Sequence, residues 1–347
     1  MKPVLYMTVG IPASGKSYWA AGKTKDGVHH HSSDDIRKEF GLDQGEMGGG
    51  KVFELLAGRV RNDLRQGFSA IYDATCMTRK RRMTFLESLK NIECEKRAVL
   101  FLCPLAICRK RNSLRDEFGK VPAHTFFGML RSFEIPDAYE GFDAVDIIRY
   151  TGEYTPEYKK IRIPEKLENG CIIFKEYMLN SLEVGDLACI PQDNVHHEHS
   201  LGEHIKMVGD MMKQKLDEGC LKGDDQDFRK KCLLDAAYHH DIGKVFTKAF
   251  KNYKGEDTET AHFYGHENFG AYIYLTEKLC LPKGQAPALS EDEIIYTAQL
   301  INWHMRPLNT WDKSAKKREH EKEMLERRYP YLYDDICLLH ECDTIAH

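Results

Sequence analysis

Short apolar runs alternate with helical patterns over the first 150 residues of the chain. The apolar runs cover residues 4–9, 70–72 and 99–102. The helical patterns start at residues 16 and 79, and a third passes through residues 109–115. Strands that alternate with helices of this length indicate a parallel sheet with helices on its faces. The pattern therefore predicts an α/β domain over residues 1–150.

The pattern changes after residue 150. Residues 151–190 contain short β-leaning pieces separated by prolines and glycines, which is typical of a linker or a small β insert. Over residues 191–347 the apolar positions recur at helical spacing, and strand patterns are almost absent. The predicted helices cover residues 204–216, 228–241, 266–279, 292–304 and 317–328. The sequence thus predicts an all-α second domain over residues 191–347.

Composition narrows the functional class. Hydrophobic residues make up 42% of the chain and charged residues 30%, which excludes general disorder. The net charge of −4 excludes a chain-wide basic surface, so any nucleic-acid contact must come from local patches. Signal-peptide features, apolar spans of membrane length and paired cysteine motifs are all missing from the sequence. We therefore expect a cytoplasmic protein that makes no membrane contact.

A phosphate-binding loop follows the first predicted strand. The segment that starts at Gly10 has the Walker A spacing Gly-x-x-x-x-Gly-Lys-Ser and leads directly into a helical pattern. Backbone N–H groups around Gly10, Ser14 and Gly15 can hold phosphate oxygens. Lys16 can neutralise β- and γ-phosphate charge, and the Ser17 hydroxyl can bind Mg²⁺. The motif predicts ATP and Mg²⁺ as cofactors.

Further charged residues downstream are candidates for the same site. Asp34 can take the proton of an attacking hydroxyl while Arg37 holds an acceptor phosphate, or Asp34 can cap the helix that follows. Asp73 ends a predicted strand, where a Walker-B-like carboxylate would meet the Mg²⁺ shell. The basic cluster of Arg109, Lys110, Arg111 and Arg115 forms either a lid over ATP or a basic surface helix.

These motifs together carry a resemblance. Ser-x-Asp-Asp-x-Arg at residues 32–37, Asp-Ala-Thr at 73–75 and Lys-Arg-Asn-Ser at 110–113 resemble the 5′-hydroxyl polynucleotide kinases of the phage end-healing type over about the first 145 residues. The resemblance implies that Lys16 and Ser17 bind ATP and Mg²⁺, and that Asp34 is the general base. It also implies that Arg37 holds the acceptor-side phosphate and that Arg115 is a lid arginine.

Two features depart from the pattern of those kinases. Cys76 stands where an asparagine is common, and the lid region contains the insertion Asp-Glu-Phe at residues 116–118. The insertion adds acidic charge to a lid that is otherwise basic.

Histidines and aspartates with metal-ligand character are spread over the second predicted domain. An adjacent His-Asp pair can present two ligands to one cation, although each histidine taken singly could be a core residue. Six residues occur in the chain order H…HD…H…H…D, namely His204, His240, Asp241, His266, His304 and Asp343. Their order and helical context favour a shared metal site.

The local sequences around them resemble the HD superfamily of metal-dependent phosphohydrolases, over about residues 190–347. The spacing of His197 and His204 is similar to that of HD modules attached to RNA-processing enzymes. The resemblance implies a primary metal, Mn²⁺, Ni²⁺, Co²⁺ or Fe²⁺, held by His204, His240, Asp241 and Asp343. It also implies that His266 and His304 serve a second metal or the scissile phosphate. Lys244 can stabilise charge that develops on the phosphate, or can favour the C-terminal end of its helix.

The pairing of the two domains predicts a bifunctional enzyme that heals RNA or DNA ends. A 5′-hydroxyl kinase and a 2′,3′-cyclic phosphodiesterase with phosphatase activity make the ends that a ligase needs, and a separate RNA ligase would then be a partner. The alternatives are a small-molecule kinase fused to an HD nucleotidase, and a nucleotide-sensing regulator with a non-catalytic HD module. A polynucleotide acceptor requires a basic groove. Its candidates are Arg37, Arg79, Lys80, Arg81 and Arg82.

Overall fold

The chain forms two compact units in a computed structural model that describes residues 2–41, 50–115, 119–195 and 198–346. The units are Met1–Tyr154 and Thr155–His347. Most of the segment predicted as a linker or β insert, residues 151–190, is therefore grouped with the second unit.

The first unit is built on a five-stranded, fully parallel sheet. Its strands are β1 (Val4–Val9), β2 (His29–Ser32), β3 (Ala70–Asp73), β4 (Glu95–Leu102) and β5 (Ala144–Arg149). They lie in the order β2-β3-β1-β4-β5. The prediction of an α/β unit with a parallel sheet is confirmed. The sequence pattern missed the edge strands β2 and β5, because β2 is polar, the apolar residues of β5 are interrupted by Asp146, and both strands are only partly buried.

Six α-helices accompany this sheet in the part of the unit that the structure describes. They are α1 (Lys16–Thr24), α2 (Ser33–Glu39), α3 (Gly50–Arg65), α4 (Arg79–Glu87), α5 (Leu105–Ser113) and α6 (Ala123–Leu130). The third predicted helix was placed at 109–115, whereas α5 ends at Ser113, so Arg115 follows the helix. Helix α3 was not predicted, although Val52, Leu56, Val60 and Leu64 recur every four residues and are buried.

A buried ion pair fixes α4 against the turn Ala138–Glu140. The guanidinium of Arg82 donates to both carboxylate oxygens of Glu140 at 2.7 and 2.6 Å, and both side chains are completely buried. Arg82 also donates to the backbone carbonyls of Cys76 and Met77. Its five donors are thus largely satisfied inside the unit.

Helices dominate the second unit. They are α7 (Val184–Leu187), α8 (Leu201–Asp217), α9 (Gln226–His239), α10 (Lys244–Thr247), α11 (His266–Leu279), α12 (Glu291–Trp303), α13 (Ala315–Glu326) and α14 (Leu332–Ile345). The five predicted helices are present with ends shifted by at most three residues. Helix α8 begins early because Ser200 and Glu203 form a capping box. Helix α14 was missed by the sequence analysis.

The predicted helical character of the second domain is confirmed, but the unit is not all-α as predicted, because it also contains two short antiparallel strand pairs. Antiparallel pairs join β6 (Ile161–Lys166) to β7 (Ile172–Tyr177) and β8 (Ala249–Lys251) to β9 (Asp257–His262). The second pair lies within residues 191–347. It escaped the sequence pattern because β8 has three residues and β9 is mostly polar, with no continuous apolar run. Across the described ranges, no helix is both long and apolar enough to cross a bilayer.

Removing one partner of the buried pair should destabilise the first unit. The change Arg82→Met leaves the Glu140 carboxylate buried without its guanidinium partner, so we expect the free energy of unfolding to fall by about 3–5 kcal/mol. Burial already raises the pKa of Glu140. Without Arg82 the folded state therefore binds a proton more readily, and the loss should be smaller at pH 5 than at pH 8. Hydrogen exchange of β3 and β4 amides at increasing urea concentration measures the change.

The control is Arg97→Met, because Arg97 pairs with Glu95 and Asp146 at a partly exposed position. We expect it to lower stability by at most about 1 kcal/mol. Equal losses in the two variants would contradict the assignment of Arg82.

Candidate functional site

The phosphate-binding loop connects β1 to α1 and packs closely on β4. A Cβ atom at Gly10 would lie 3.0 Å from the Cβ of Phe101, so a side chain there would crowd β4. The Gly10 N–H donates to the carbonyl of Thr75, and the buried hydroxyl of Ser14 has no hydrogen-bond partner among the described residues. Gly15 has φ 110°, a left-handed conformation that glycine adopts without strain. Contacts with neighbouring strands and turns therefore fix the conformation of the loop backbone.

Lys16 lies folded against this loop. Its Nζ donates to the carbonyls of Gly10 and Ile11 at 2.9 and 2.8 Å. Burial lowers the pKa of Lys16, while the nearby carboxylates of Asp73 and Asp34 act in the opposite direction. The amine is thus confined to the mouth of the loop, where it faces the carboxylates of Asp73 and Asp34.

The carboxylate of Asp73, at the end of β3, is held from both sides. The Thr8 hydroxyl donates to Oδ1 at 3.0 Å, and Nε2 of His30 lies 3.0 Å from Oδ2. These contacts arise from the pairing of β3 with both β1 and β2. Sequence reasoning identified Asp73 but not Thr8 or His30, because no local signal reports which strands are neighbours.

Asp34 and Arg37 lie on the first turns of α2. Ser32 is the N-cap of this helix, and its hydroxyl accepts the N–H of Asp35. The capping role that the sequence left open for Asp34 therefore belongs to Ser32. The Asp34 carboxylate is 55% exposed, and its Oδ1 lies 3.6 Å from Nη1 of Arg37. A half-exposed carboxylate beside a guanidinium is suited to accept the proton of a substrate hydroxyl while the guanidinium binds a phosphate next to that hydroxyl.

One cleft of about 810 Å³ brings these groups together. The predicted site residues that line it are Gly15, Lys16, Ser17, Asp34, Arg37, Asp73 and Arg115. Its described lining also includes Arg81, Arg111 and Phe53. Basic side chains therefore outnumber acidic ones by five to two, which favours a ligand with several negative charges.

Of the three arginines at the start of α4, two are buried in ion pairs and one lines the cleft. Arg79 pairs with Glu134 and Arg82 with Glu140, and both are buried. Their prediction as groove residues is therefore wrong, and Lys80 is exposed but does not line the cleft. Arg81 does line it, and both its guanidinium and that of Arg37 lie over the ring of Phe53, at 5.1 and 5.9 Å. Phe53 was missed because α3 was missed.

The predicted lid cluster is split in a similar way. Arg111 donates to the carbonyl of Ala13 at 3.2 Å, so it touches the phosphate-binding loop. Arg115 lines the cleft and donates to the carbonyl of Gly119 at 3.1 Å. Arg109 is not part of the lining, and the insertion at 116–118 lies outside the described residues.

Cys76, which replaces the usual asparagine, has φ 42°. Asparagine tolerates this left-handed region better than other non-glycine residues do. Burial raises the pKa of the Cys76 thiol to about 12, so the thiol stays neutral. The position is therefore a structural turn whose backbone carbonyl supports Arg82.

In the second unit, four predicted ligands converge on one point. Nε2 of His204 lies 3.2 Å from Oδ2 of Asp241 and 3.1 Å from Oδ1 of Asp343. Nε2 of His240 lies 3.4 and 3.5 Å from the same two oxygens. All four side chains are buried and come from α8, the turn after α9, and α14. The structure thus brings the whole predicted primary set together.

The other carboxylate oxygen of Asp241 belongs to a second group. Oδ1 lies 3.1 Å from Nε2 of His266 and 3.9 Å from Nε2 of His304. The two imidazoles are 3.2 Å apart at their Nε2 atoms. One carboxylate therefore faces two clusters, as a ligand shared by two cations would.

Gly243 makes this convergence possible. A Cβ atom there would lie 2.0 Å from the carbonyl oxygen of His266 and 2.7 Å from the nitrogen of Gly270. The turn that carries Asp241 can therefore approach the first turn of α11 only with glycine at this position. That approach places Oδ1 of Asp241 beside His266.

The histidines are also oriented by their second nitrogen. Each Nδ1 lies 2.8–3.4 Å from a backbone carbonyl, which leaves the Nε2 lone pair facing the centre. The carbonyls belong to Ala346 for His204, Ala237 for His240, Phe263 for His266 and Ile301 for His304.

The electrostatics favour a cation at the primary group. Despite burial, Lys244 and His240 hold the pKa of Asp241 well below its ordinary value, and His204 and His240 do the same for Asp343. Burial lowers the pKa of His304 to about 3, and its imidazole neighbours add to the effect, so this side chain is a neutral ligand at pH 7. The buried Nε2 of His240 has no hydrogen-bond partner in the described ranges. Despite burial, Asp241 and Asp343 raise the pKa of His240 to about 10, so this group of residues attracts positive charge. Carboxylates and imidazoles are ligands that suit a divalent transition metal, which would supply that charge in place of the imidazole proton.

Lys244 begins α10 and does not lie at the C-terminal end of a longer helix, so the helix-dipole alternative does not apply. Its Nζ lies 2.7 Å from Oδ2 of Asp241 and donates to Oε1 of Gln192 at 2.9 Å. Gln192 was not singled out in the sequence, because it lies 52 residues away in a connecting segment. His197, the other sequence candidate of this region, lies outside the described residues.

Comparison with known proteins bears on the first unit. Residues 5–136 match the family model of an AAA domain. A candidate kinase from Chloroflexus aurantiacus j-10-fl is 17% identical with a TM-score of 0.37, over 42% of this chain and 85% of that one. An unliganded sugar kinase from Janibacter sp. HTCC2649 is 16% identical with a TM-score of 0.33, over 42% of this chain and 84% of that one. No curated protein matches the chain. The family match over residues 5–136 agrees with the loop geometry, and both are typical of a P-loop domain built on a parallel sheet.

Metal binding should stabilise the second unit through Asp241. Mn²⁺ at about 100 times its dissociation constant should add about 2.7 kcal/mol, which raises the unfolding temperature by about 5–10 °C. Because Asp241 faces both groups, Asp241→Asn should abolish the shift. Calorimetry of the full chain with and without Mn²⁺ measures it. The control is His320→Ala, an exposed histidine on α13 that should keep the full shift. An unchanged shift in Asp241→Asn would show that the metal binds elsewhere.

Proposed function

We propose that the chain is a bifunctional enzyme that heals nucleic-acid ends, with RNA as the favoured substrate. The first unit acts as an ATP-dependent 5′-hydroxyl polynucleotide kinase, and the second as a metal-dependent 2′,3′-cyclic phosphodiesterase and phosphatase. One observation carries the proposal: in each unit, side chains from separate elements converge into a full set of groups for one phosphate reaction.

In the kinase reaction, Asp34 takes the proton of the 5′-hydroxyl as its oxygen attacks the γ-phosphorus, and ADP leaves. Mg²⁺ bound with ATP supplies charge neutralisation on the phosphates. Lys16 and the loop N–H groups hold the transferred phosphoryl, and Ser17 and Asp73 border the place for the cation. Arg115 and Arg111 add positive charge on the lid side of the cleft.

The acceptor side of the cleft supports a nucleotide acceptor over a small neutral metabolite. Arg37 and Arg81 provide two guanidinium groups beside Asp34, and Arg81 makes no ion pair within the described ranges. Phe53 lies beneath both guanidiniums. Phosphodiesters bind to guanidinium forks, and bases stack on aromatic and guanidinium planes. A neutral sugar would leave Arg81 without an anionic partner among the described residues.

In the hydrolase reaction, His204, His240, Asp241 and Asp343 would hold a divalent metal, with His266 and His304 beside a second position. Such a metal polarises a phosphoester and lowers the pKa of water. Lys244 brings a positive charge to the edge of this centre, where charge develops on the phosphate. The alternative of a sensing module without turnover explains less, because binding alone does not need two ligand groups around one carboxylate.

The two activities complement each other chemically. A strand broken with a 2′,3′-cyclic phosphate and a 5′-hydroxyl needs both ends changed before it can be joined. The kinase adds the 5′-phosphate, and the hydrolase opens and removes the cyclic phosphate. A separate RNA ligase would then act on the product as the partner.

Asp34→Asn tests the kinase assignment. Removing the general base should lower kcat on a 5′-hydroxyl RNA oligonucleotide by about 10²-fold or more, while the KM for ATP stays nearly constant. Transfer of labelled γ-phosphate measures both constants. Asp35→Asn is the matched control, since Asp35 is exposed and does not line the cleft. Full activity of Asp34→Asn would overturn the assignment of the base.

His240→Ala tests whether the two reactions use separate sites. It should abolish hydrolysis of a 2′,3′-cyclic phosphate end and leave 5′-phosphorylation within about 2-fold of the parent, because the described residues that line the kinase cleft all belong to the first unit. Mg²⁺ alone should support the kinase, whereas the hydrolase should require Mn²⁺, Ni²⁺ or Co²⁺. Loss of both activities in a folded variant would contradict two independent sites.

A further inference from the structure

A buried glutamine connects the segment before α8 to the ligand cluster. Gln192 is 3% exposed. Its Oε1 accepts a hydrogen bond from Nζ of Lys244 at 2.9 Å, and its Nε2 donates to the carbonyl of His199 at 3.3 Å. A lysine ammonium can only donate and a carbonyl can only accept, so these two neighbours fix which end of the amide faces Lys244.

Lys244 is thereby confined from several sides. Its Nζ touches Oδ2 of Asp241 at 2.7 Å and lies 5.1 Å from the ring centre of Phe263. A lysine has four rotatable side-chain bonds, so an ion pair with one carboxylate leaves its ammonium several positions. The amide of Gln192 adds a second fixed point that does not involve Asp241.

The chemistry of an amide suits this task. A glutamate at position 192 would form an ion pair with Lys244 and offset the positive charge that the phosphate needs. A glutamine orients the ammonium and leaves its charge intact.

The segment around Gln192 is held in place without it. Nζ of Lys248 contacts Oδ2 of Asp193 at 2.9 Å and the carbonyl of Pro191. The amide of Asn194 donates to the carbonyl of Ala261 at 2.6 Å. Residues 191–194 therefore have their own anchors, and the contact from Gln192 to Lys244 is available for the site.

From this geometry we infer that Gln192 is a positioning residue of the phosphohydrolase site, which aims the Lys244 ammonium at the substrate phosphate. This inference rests on the proposed hydrolase function of the second unit. It assigns a role to a residue outside the His-Asp motifs.

A double-mutant cycle tests the inference. In the Mn²⁺-loaded full chain, Gln192→Leu should lower kcat for a 2′,3′-cyclic phosphate RNA end by about 10-fold, the lower range for residues that orient site groups. Lys244→Met should lower it at least as much. Because Gln192 acts through Lys244, adding Gln192→Leu to Lys244→Met should change kcat by less than about 2-fold. Purely structural damage would instead multiply the two losses.

Binding of inorganic phosphate gives a readout that does not need turnover. Titration calorimetry should show that Gln192→Leu weakens phosphate binding to the Mn²⁺-loaded chain about as much as Lys244→Met does. The Mn²⁺ affinity of the Gln192→Leu variant should stay nearly constant. Asn194→Ala is the control, since it removes one anchor of the same segment and should leave phosphate affinity and kcat within about 2-fold.

The outcomes separate the inference from the proposed function. If Lys244→Met lowers kcat and phosphate affinity while Gln192→Leu does neither, or if the two losses multiply, Gln192 is not a positioning residue. If the Mn²⁺-loaded parent chain neither turns over the cyclic phosphate nor binds phosphate, the proposed hydrolase function itself falls.

Discussion

The packing of the second unit depends on the buried carboxylate of Asp241 and on the contacts that it makes. This carboxylate is completely enclosed, and transferring a carboxylate out of water costs several kcal/mol unless partners compensate it. Its partners come from α8, from the turn after α9, and from α10, α11 and the end of α12. The helices must therefore meet around one charge, which sets their arrangement as much as apolar packing does.

This constraint also explains the small residues and short segments nearby. Gly243 allows the turn to touch α11, and the connecting segment at 191–194 brings Gln192 within reach of Lys244. Gly243 and the segment 191–194 each allow a charged or polar atom to lie within about 3 Å of another in the buried interior, where such contacts are strong. The site and the fold of this unit are consequently hard to separate: substitutions at its ligands should affect stability as well as chemistry.

The first unit accommodates its charged side chains in a different way. Its charges gather where parallel strands end, and the cleft stays open to accept a charged ligand. Buried charge that is not used in the cleft is neutralised internally, as the pair of Arg82 and Glu140 shows. Arg81, the neighbour of Arg82, points its charge into the cleft, so adjacent residues of one type serve stability and binding separately.

The sequence by itself determined the local parts: the phosphate-binding loop, the helices with apolar spacing, and the residue types that can hold a metal. Those features depend on neighbours within a few positions, which a sequence displays directly. Only the tertiary structure decided that Asp241 faces two groups, that Thr8 and His30 hold Asp73, and that Ser32 caps α2 in place of Asp34. Edge strands β2 and β5 and the pair β8–β9 likewise needed the fold, since segments that are polar, or too short to hold a continuous apolar run, become strands by pairing and not by composition. The physical reason is the same throughout: strand order, helix crossings and the burial of individual charges are set by contacts between residues far apart in the chain.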